Sequence, residues 1–144
     1  MMRRRENTRF LPGISLPDSL RITDDLAVAV DGAEIIVLAV PMRRLAENLR
    51  RLSQVLSQTS IIVSGIKGLE PHTGARVSEA LSRLLGESFL ERFAVVSGPN
   101  LAREIAAHEP STTVVASTVP VVAQQVQQAI SAPWFRAYTS DDVI

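Results

Sequence analysis

Ile61-Ile62-Val63-Ser64-Gly65-Ile66-Lys67-Gly68-Leu69-Glu70 is the stretch whose reading decides the fold. A β-branched apolar run halts at Gly65, and a lysine stands just past the halt. A short run of this kind, bounded by glycine, is expected to be a strand covered on both faces, the type found in parallel sheets. Lys67 is the only lysine; every other basic side chain is arginine. Lysine carries a compact ammonium with three rotatable donors, whereas arginine presents a fixed planar fork. At the end of a buried strand that ammonium is a candidate for chemistry. In a plain surface loop it would be a solvated charge, and the neighbouring stretches decide between the two.

Upstream, Glu34 to Val40 holds six consecutive apolar residues and predicts a second buried strand, closed by Pro41. Met42, Leu45, Leu49, Leu52 and Leu56 then recur at helical steps and predict an amphipathic helix. Further back, Phe10-Leu11-Pro12-Gly13 is expected to be a turn-rich connection, and Arg21-Ile22-Thr23 a short strand. Thr23-Asp24-Asp25 offers N-cap side chains to a short helix, Leu26 to Val30, ending near Gly32. Arg3 to Arg5 are expected to be solvated.

Downstream, Val77, Leu81, Leu84 and Leu85 predict a helix stopped by Gly86, and Phe89 to Phe93 a helical turn. Ala94-Val95-Val96 is a third strand running into Ser97-Gly98-Pro99-Asn100. Leu101, Ala102, Ile105 and Ala106 place a helix face against the core. Thr112 to Ala116 is a strand, Val122 to Ile130 a helix, and Trp134 to Tyr138 a last strand. Strands alternating with helices predict an α/β architecture, a doubly wound and mainly parallel sheet with helices on both faces.

With 144 residues there is room for one domain with a core of its own. Fifteen acidic residues balance fifteen basic ones, which argues against nucleic-acid binding driven by bulk charge. No apolar run has the length of a membrane span. There is no cysteine, and the two histidines, His72 and His108, are isolated, so no metal site is expected.

In open parallel sheets ligands bind beyond the carboxyl ends of the strands. Val40-Pro41-Met42, Gly65 to Gly68 and Ser97 to Asn100 converge there. Gly98 permits close backbone approach, and Pro99 suits the first position of a helix, whose free N–H groups would face the crevice. The chain has no Gly-x-Gly-x-x-Gly fingerprint, no phosphate loop and no Gly-x-Ser-x-Gly elbow.

Read together, these stretches resemble the NAD(P)-dependent glycerol-3-phosphate dehydrogenases, in particular the bacterial form. The resemblance runs through Asn7 to Gly13, Leu16-Pro17, Asp24-Asp25-Leu26 and Ala39-Val40-Pro41. It continues through Lys67 to Glu70, Thr73-Gly74, Ser97 to Glu104, Pro110, Phe135-Arg136 with Tyr138, and Asp141 to Ile144. It implies a truncated Rossmann-like domain over residues 1–144, using NAD or NADP. The family's first strand and glycine-rich turn, and its C-terminal helical substrate domain, have no counterpart in these residues. Such a piece is expected to be inactive alone.

The reaction implied is hydride transfer to dihydroxyacetone phosphate, giving sn-glycerol 3-phosphate for glycerophospholipid synthesis. The resemblance makes Lys67 the catalytic residue, touching both substrate and nicotinamide. It assigns Gly98 and Asn100 to the substrate, and Pro41 and Ala102 to the cofactor. It implies a cytoplasmic, homodimeric enzyme outside the membrane. Arg44 stands where some members place a phenylalanine. Two other readings compete: a non-catalytic α/β module that self-associates or binds a partner, and a related 3-hydroxyacid or ketopantoate reductase.

Overall fold

The computed structural model describes residues 5–143. It opens with two short antiparallel strands, β1 (Glu6–Asn7) and β2 (Leu11–Ser15). Of the expected turn-rich connection at Phe10 to Gly13, all but Phe10 is therefore strand. Polar contacts hold it: the Gly13 amide donates to Glu6 Oε1 at 2.8 Å. Arg5 departs from the expectation of solvation. Its guanidinium donates to the carbonyls of Leu16 (3.3 Å), Pro17 and Leu20 (2.8 Å) and pairs with Asp18 at 3.3 Å. It clamps the loop that leads away from β2; Arg3 and Arg4 lie outside the described residues. No strand forms at Arg21 to Thr23, which runs as irregular chain.

Helix α1 (Leu26–Val30) starts as its sequence dictates. Asp25 Oδ1 accepts from the amides of Ala27 at 2.9 Å and Val28 at 3.3 Å, satisfying two free N–H groups. Gly32, with φ +65°, turns the chain beyond the helix. Strand β3 (Ile35–Leu38) follows, then a single 3-10 turn, Met42–Arg44, and α2 (Leu45–Leu52). Next come β4 (Ile61–Ser64), α3 (Val77–Leu85), a 3-10 segment Glu87–Arg92 and β5 (Phe93–Ser97). The chain closes with α4 (Ala102–Ala106), β6 (Ser111–Ala116), α5 (Pro120–Ile130) and β7 (Phe135–Ser140).

The main sheet has five strands in the order β3-β4-β5-β6-β7. Three of its four pairings are parallel; β5 and β6 run antiparallel. All four residues of β4 are buried, as expected for a strand sandwiched between layers. Ile62 faces one layer, built from α1, α2 and α3 with Leu45, Leu49, Ala80 and Leu81. Ile61 and Val63 face the other, built on α5 with Val122, Ala123 and Val126. The expected mainly parallel α/β sheet with helices on both faces is thus present. No helix among the described residues is long and apolar enough to cross a membrane.

Two buried serines fasten the ends of the sheet. Ser60 Oγ donates to the Ala33 carbonyl and Ser117 Oγ to the Phe93 carbonyl, each at 2.7 Å. At the other extreme, β3 pairs only with β4 among the described residues, so its outer edge is open. Val37, on that edge strand, is 58% exposed.

Ile62 is fully buried between the sheet and the three-helix layer. Ile62→Ala is expected to lower the stability of the folded chain by about 2–5 kcal/mol, measured as a shift in urea midpoint with the slope unchanged.

Candidate functional site

The carboxyl ends of β3, β4 and β5 point to one rim of the sheet, because the three strands are mutually parallel. The antiparallel turn into β6 changes what completes that rim. Ser97 pairs with Val114, so the first residues of β6 lie beside the end of β5. The rim therefore joins the ends of β3, β4 and β5 to the beginnings of β6 and β7, which end on the opposite side.

Lys67 stands on this rim, in the loop after β4. Ser64, fully buried, accepts from the Ile66 amide at 3.2 Å and turns the chain out of the strand. Gly68 has φ +90°, a value that favours glycine, just beyond the lysine. The loop is then fixed from its far side. Glu70 accepts from the Thr73 hydroxyl and, at 2.8 Å, from Arg83 on α3. The Thr73 hydrogen bond and then the Arg83 guanidinium hold the Glu70 carboxyl below its usual range, so it is anionic at neutral pH.

From this anchored loop Lys67 reaches across to the next strand end. Its Nζ donates to the Gly98 carbonyl at 3.0 Å. One donor is committed, and two remain for a ligand at an otherwise exposed ammonium.

Gly98 occupies a position with no room for a side chain. A Cβ there would lie 3.0 Å from the Thr112 carbonyl oxygen, 3.2 Å from the Thr113 Cα and 3.2 Å from Asn100 Nδ2. Two of these neighbours are backbone and cannot rotate away. The close approach read from the sequence is thus an approach to β6. Asn100 lies at the same junction. Its Nδ2 donates to Thr113 Oγ1 at 2.9 Å, and Thr113 Oγ1 donates to the Ser97 carbonyl at 3.0 Å. Asn100 Oδ1 is shielded from solvent and has no hydrogen-bond partner among the described residues.

The structure joins Lys67, Gly98 and Asn100 in one contiguous group. Pro41 lies beyond the end of β3, and Ala102 opens α4; both are exposed and neither touches that group through a polar atom. Pro99 does not begin a helix. Asn100 and Leu101 intervene before α4, which starts at Ala102 and is only five residues long. Leu101 is 59% exposed instead of packing inward. Arg44 turns toward Glu47, with which it pairs at 3.2 Å. His108, with φ +61°, stacks on Trp134 with ring centroids 3.9 Å apart, in the connections that lead into β6 and β7.

Sequence reading does not single out Thr113. The available signal is a polar residue at a buried position of a strand whose next inward residue, Val115, is apolar.

The pattern describing the N-terminus of NAD-dependent glycerol-3-phosphate dehydrogenases matches residues 1–123. Among curated proteins, a glycerol-3-phosphate dehydrogenase (NAD(P)+) of Corynebacterium glutamicum is 45% identical over 139 residues, 96% of this chain and 42% of the relative. One of Frankia casuarinae is 46% identical over 141 residues, covering 98% and 42%. The chain thus spans about 42% of the length of these curated relatives. Among solved structures, a glycerol-3-phosphate dehydrogenase of Coxiella burnetii superposes with a TM-score of 0.90 at 28% identity, covering 99% of this chain and 43% of that one. The Saccharomyces cerevisiae enzyme gives 0.82 at 27% identity, covering 97% and 42%.

Gly98→Ala forces the new methyl against β6 backbone. It is expected to cost about 1–3 kcal/mol of stability, read from urea denaturation, with the amide signals of Thr112 and Thr113 shifting in the folded state.

Proposed function

The chain belongs to the NAD-dependent glycerol-3-phosphate dehydrogenase family, matching its N-terminal part, and from that premise we propose that it supplies the cofactor-facing half of such an enzyme. The reaction is reduction of dihydroxyacetone phosphate to sn-glycerol 3-phosphate with NADH or NADPH. The observation that carries this reading is the position of Lys67. Its ammonium is held at 3.0 Å from the Gly98 carbonyl, on the strand-end rim where ligands of open parallel sheets bind.

The residues of the rim suit the nicotinamide end of the cofactor. Pro41 and Ala102 are exposed on the connections bordering it, and the Gly98 carbonyl holds Lys67 there. A turn that would cradle the pyrophosphate is not offered by any Gly-x-Gly-x-x-Gly in the sequence. When bound, the reduced nicotinamide supplies the hydride to the keto carbon. Lys67 directs its two uncommitted N–H donors at the keto oxygen and stabilises the negative charge that develops there. Because the Gly98 carbonyl already orients the ammonium, little reorganisation is needed as that charge appears. Gly98 and Asn100 border the substrate. The domain spans residues 1–144, works in the cytoplasm as part of a homodimer, and its product feeds glycerophospholipid synthesis.

One observation favours a second reading, a non-catalytic module that self-associates. The outer edge of β3 is unpaired among the described residues and carries an exposed Val37. Such an edge is a template for strand addition. Under this reading the purified chain sediments as a dimer or larger species, and Val37→Lys returns it to monomer. A wild-type monomer across the micromolar range would rule it out.

For the enzymatic reading, Lys67→Ala is tested in a protein of the relatives' full length that carries this segment. It is expected to lower kcat/KM for dihydroxyacetone phosphate by about 10²–10³-fold in an NADH-oxidation assay, the scale of one lost oxyanion donor. Turnover like wild type would remove Lys67 from the stabilisation of the keto oxygen. The 144-residue chain by itself is expected to show no turnover in the same assay.

A further inference from the structure

We infer that Glu70 and Arg83 are positioning residues for Lys67: their ion pair fixes the far end of the lysine's loop, so that the ammonium is held on the Gly98 carbonyl. The inference rests on the proposed dehydrogenase function and makes the rate of that reaction depend on Arg83, 13 residues beyond Glu70 in the chain.

Lys67 is strung between two fixed points. Before it, Ile66 packs against the three-helix layer, and its amide donates to Ser64 Oγ at 3.2 Å. After it, Gly68 has no side chain to pack and Leu69 is exposed, so neither holds the chain. The next fixed point is Glu70. Its amide donates to the Ala75 carbonyl, and its own carbonyl accepts from the Gly74 amide, each at 2.8 Å. Its carboxylate accepts from the Thr73 hydroxyl, which in turn accepts from the Ala75 amide at 3.2 Å. These bonds close within residues 70–75 and do not hold that turn against the rest of the protein. The bond from Arg83 does, at 2.8 Å. Arg83 stands on α3, whose Ala80 and Leu81 are buried in the core, so the turn is tied to a rigid element.

The pair is poorly placed to serve stability. The Arg83 side chain is 49% exposed and that of Glu70 21%, and solvated pairs of this kind add little to folding. What it sets is geometry. A lysine side chain has much rotamer freedom, so one contact at Nζ persists only where the backbone behind it is held as well. Arg76, the other arginine at this end of the loop, is engaged with Glu79 at 3.4 Å and offers no substitute.

Because Lys67 is the only lysine, a 144-residue chain grown on ¹⁵N-lysine gives one side-chain ammonium signal. It is recorded at about pH 6, where Glu70 is ionised because Thr73 and Arg83 hold its carboxyl below the usual range. Arg83→Met keeps an unbranched helix former and is expected to speed exchange of the ammonium protons with water about three- to tenfold, the scale of one hydrogen bond. An unchanged exchange rate overturns the inference. Should Arg83→Met fold poorly, Glu70→Gln makes the same measurement with the same expectation. The catalytic consequence is read in a protein of the relatives' full length that carries this segment. There Arg83→Met is expected to lower kcat about tenfold with the KM for NADH unchanged, and Arg83→Lys to recover most of it. In a Lys67→Ala background Arg83→Met is expected to cost nothing further, since it acts through the lysine. An equal cost in both backgrounds marks a merely structural role and overturns the inference. Wild-type turnover in Arg83→Met, where Lys67→Ala is impaired, overturns it alone and leaves the proposed function standing. If Lys67→Ala itself turns over like wild type, the proposed role of Lys67 fails, and the ammonium exchange rate decides whether Glu70 and Arg83 position it.

Discussion

Burial of β4 on both of its faces is the constraint from which the remaining structure takes its position. All four residues of the strand are buried, with Ile62 on one side and Ile61 and Val63 on the other. A strand so placed must be apolar along its length, and it needs a layer of helices above and another below. The layers formed by α1, α2 and α3 and by α5 meet that need. Where the apolar run stops, the chain must emerge at the sheet rim. Ser64 and Gly65 mark that exit, and Lys67 is the first charged side chain beyond it.

The site is then a consequence of how neighbouring strands end. Lys67 comes from the loop after β4, and the carbonyl that orients it from the residue after β5. Asn100 follows in the same loop, and Thr113 comes from the start of β6. In an all-parallel sheet the beginning of β6 would lie at the far rim. The reversal between β5 and β6 brings a buried hydroxyl within reach of Asn100. The loop that carries Lys67 is held separately, through Glu70 and Arg83, so the ammonium is anchored from α3 as well as from β5.

Much of this was legible in the residues. Continuous apolar runs at Glu34 to Val40, Ile61 to Val63 and Ala94 to Val96 mark strands, and Asp25 marks a helix start by its capping chemistry; burial on both faces holds along β4 but not for the edge strand β3, where Val37 is exposed. Lys67 and Gly98 were legible for physical reasons too, one as a charge past a buried strand and the other as a residue without a side chain at a strand end. The direction of β6 was not legible, because the spacing of inward residues is the same whichever way a strand runs. The helix expected at Pro99 failed because Asn100 and Leu101 extend the loop, with Asn100 bonded to β6 instead of beginning a turn. β1 and β2 were missed because polar contacts from Glu6 and Arg5 hold them, and no apolar alternation announces them. Thr113 was hidden because its role depends on a partner 13 residues away across an antiparallel pairing.

That pairing carries side-chain fasteners at both of its ends. Ser117 bonds the carbonyl of Phe93, at the start of β5, and Thr113 bonds the carbonyl of Ser97, at its finish. A slip of one residue would present Thr112 or Val114 where Thr113 stands, and both of those face outward. It would also break both fasteners together. The alignment of β6 on β5 is therefore set by polar groups as well as by apolar ones, and the placement of Asn100 is inherited from the bookend serine as much as from the threonine it touches.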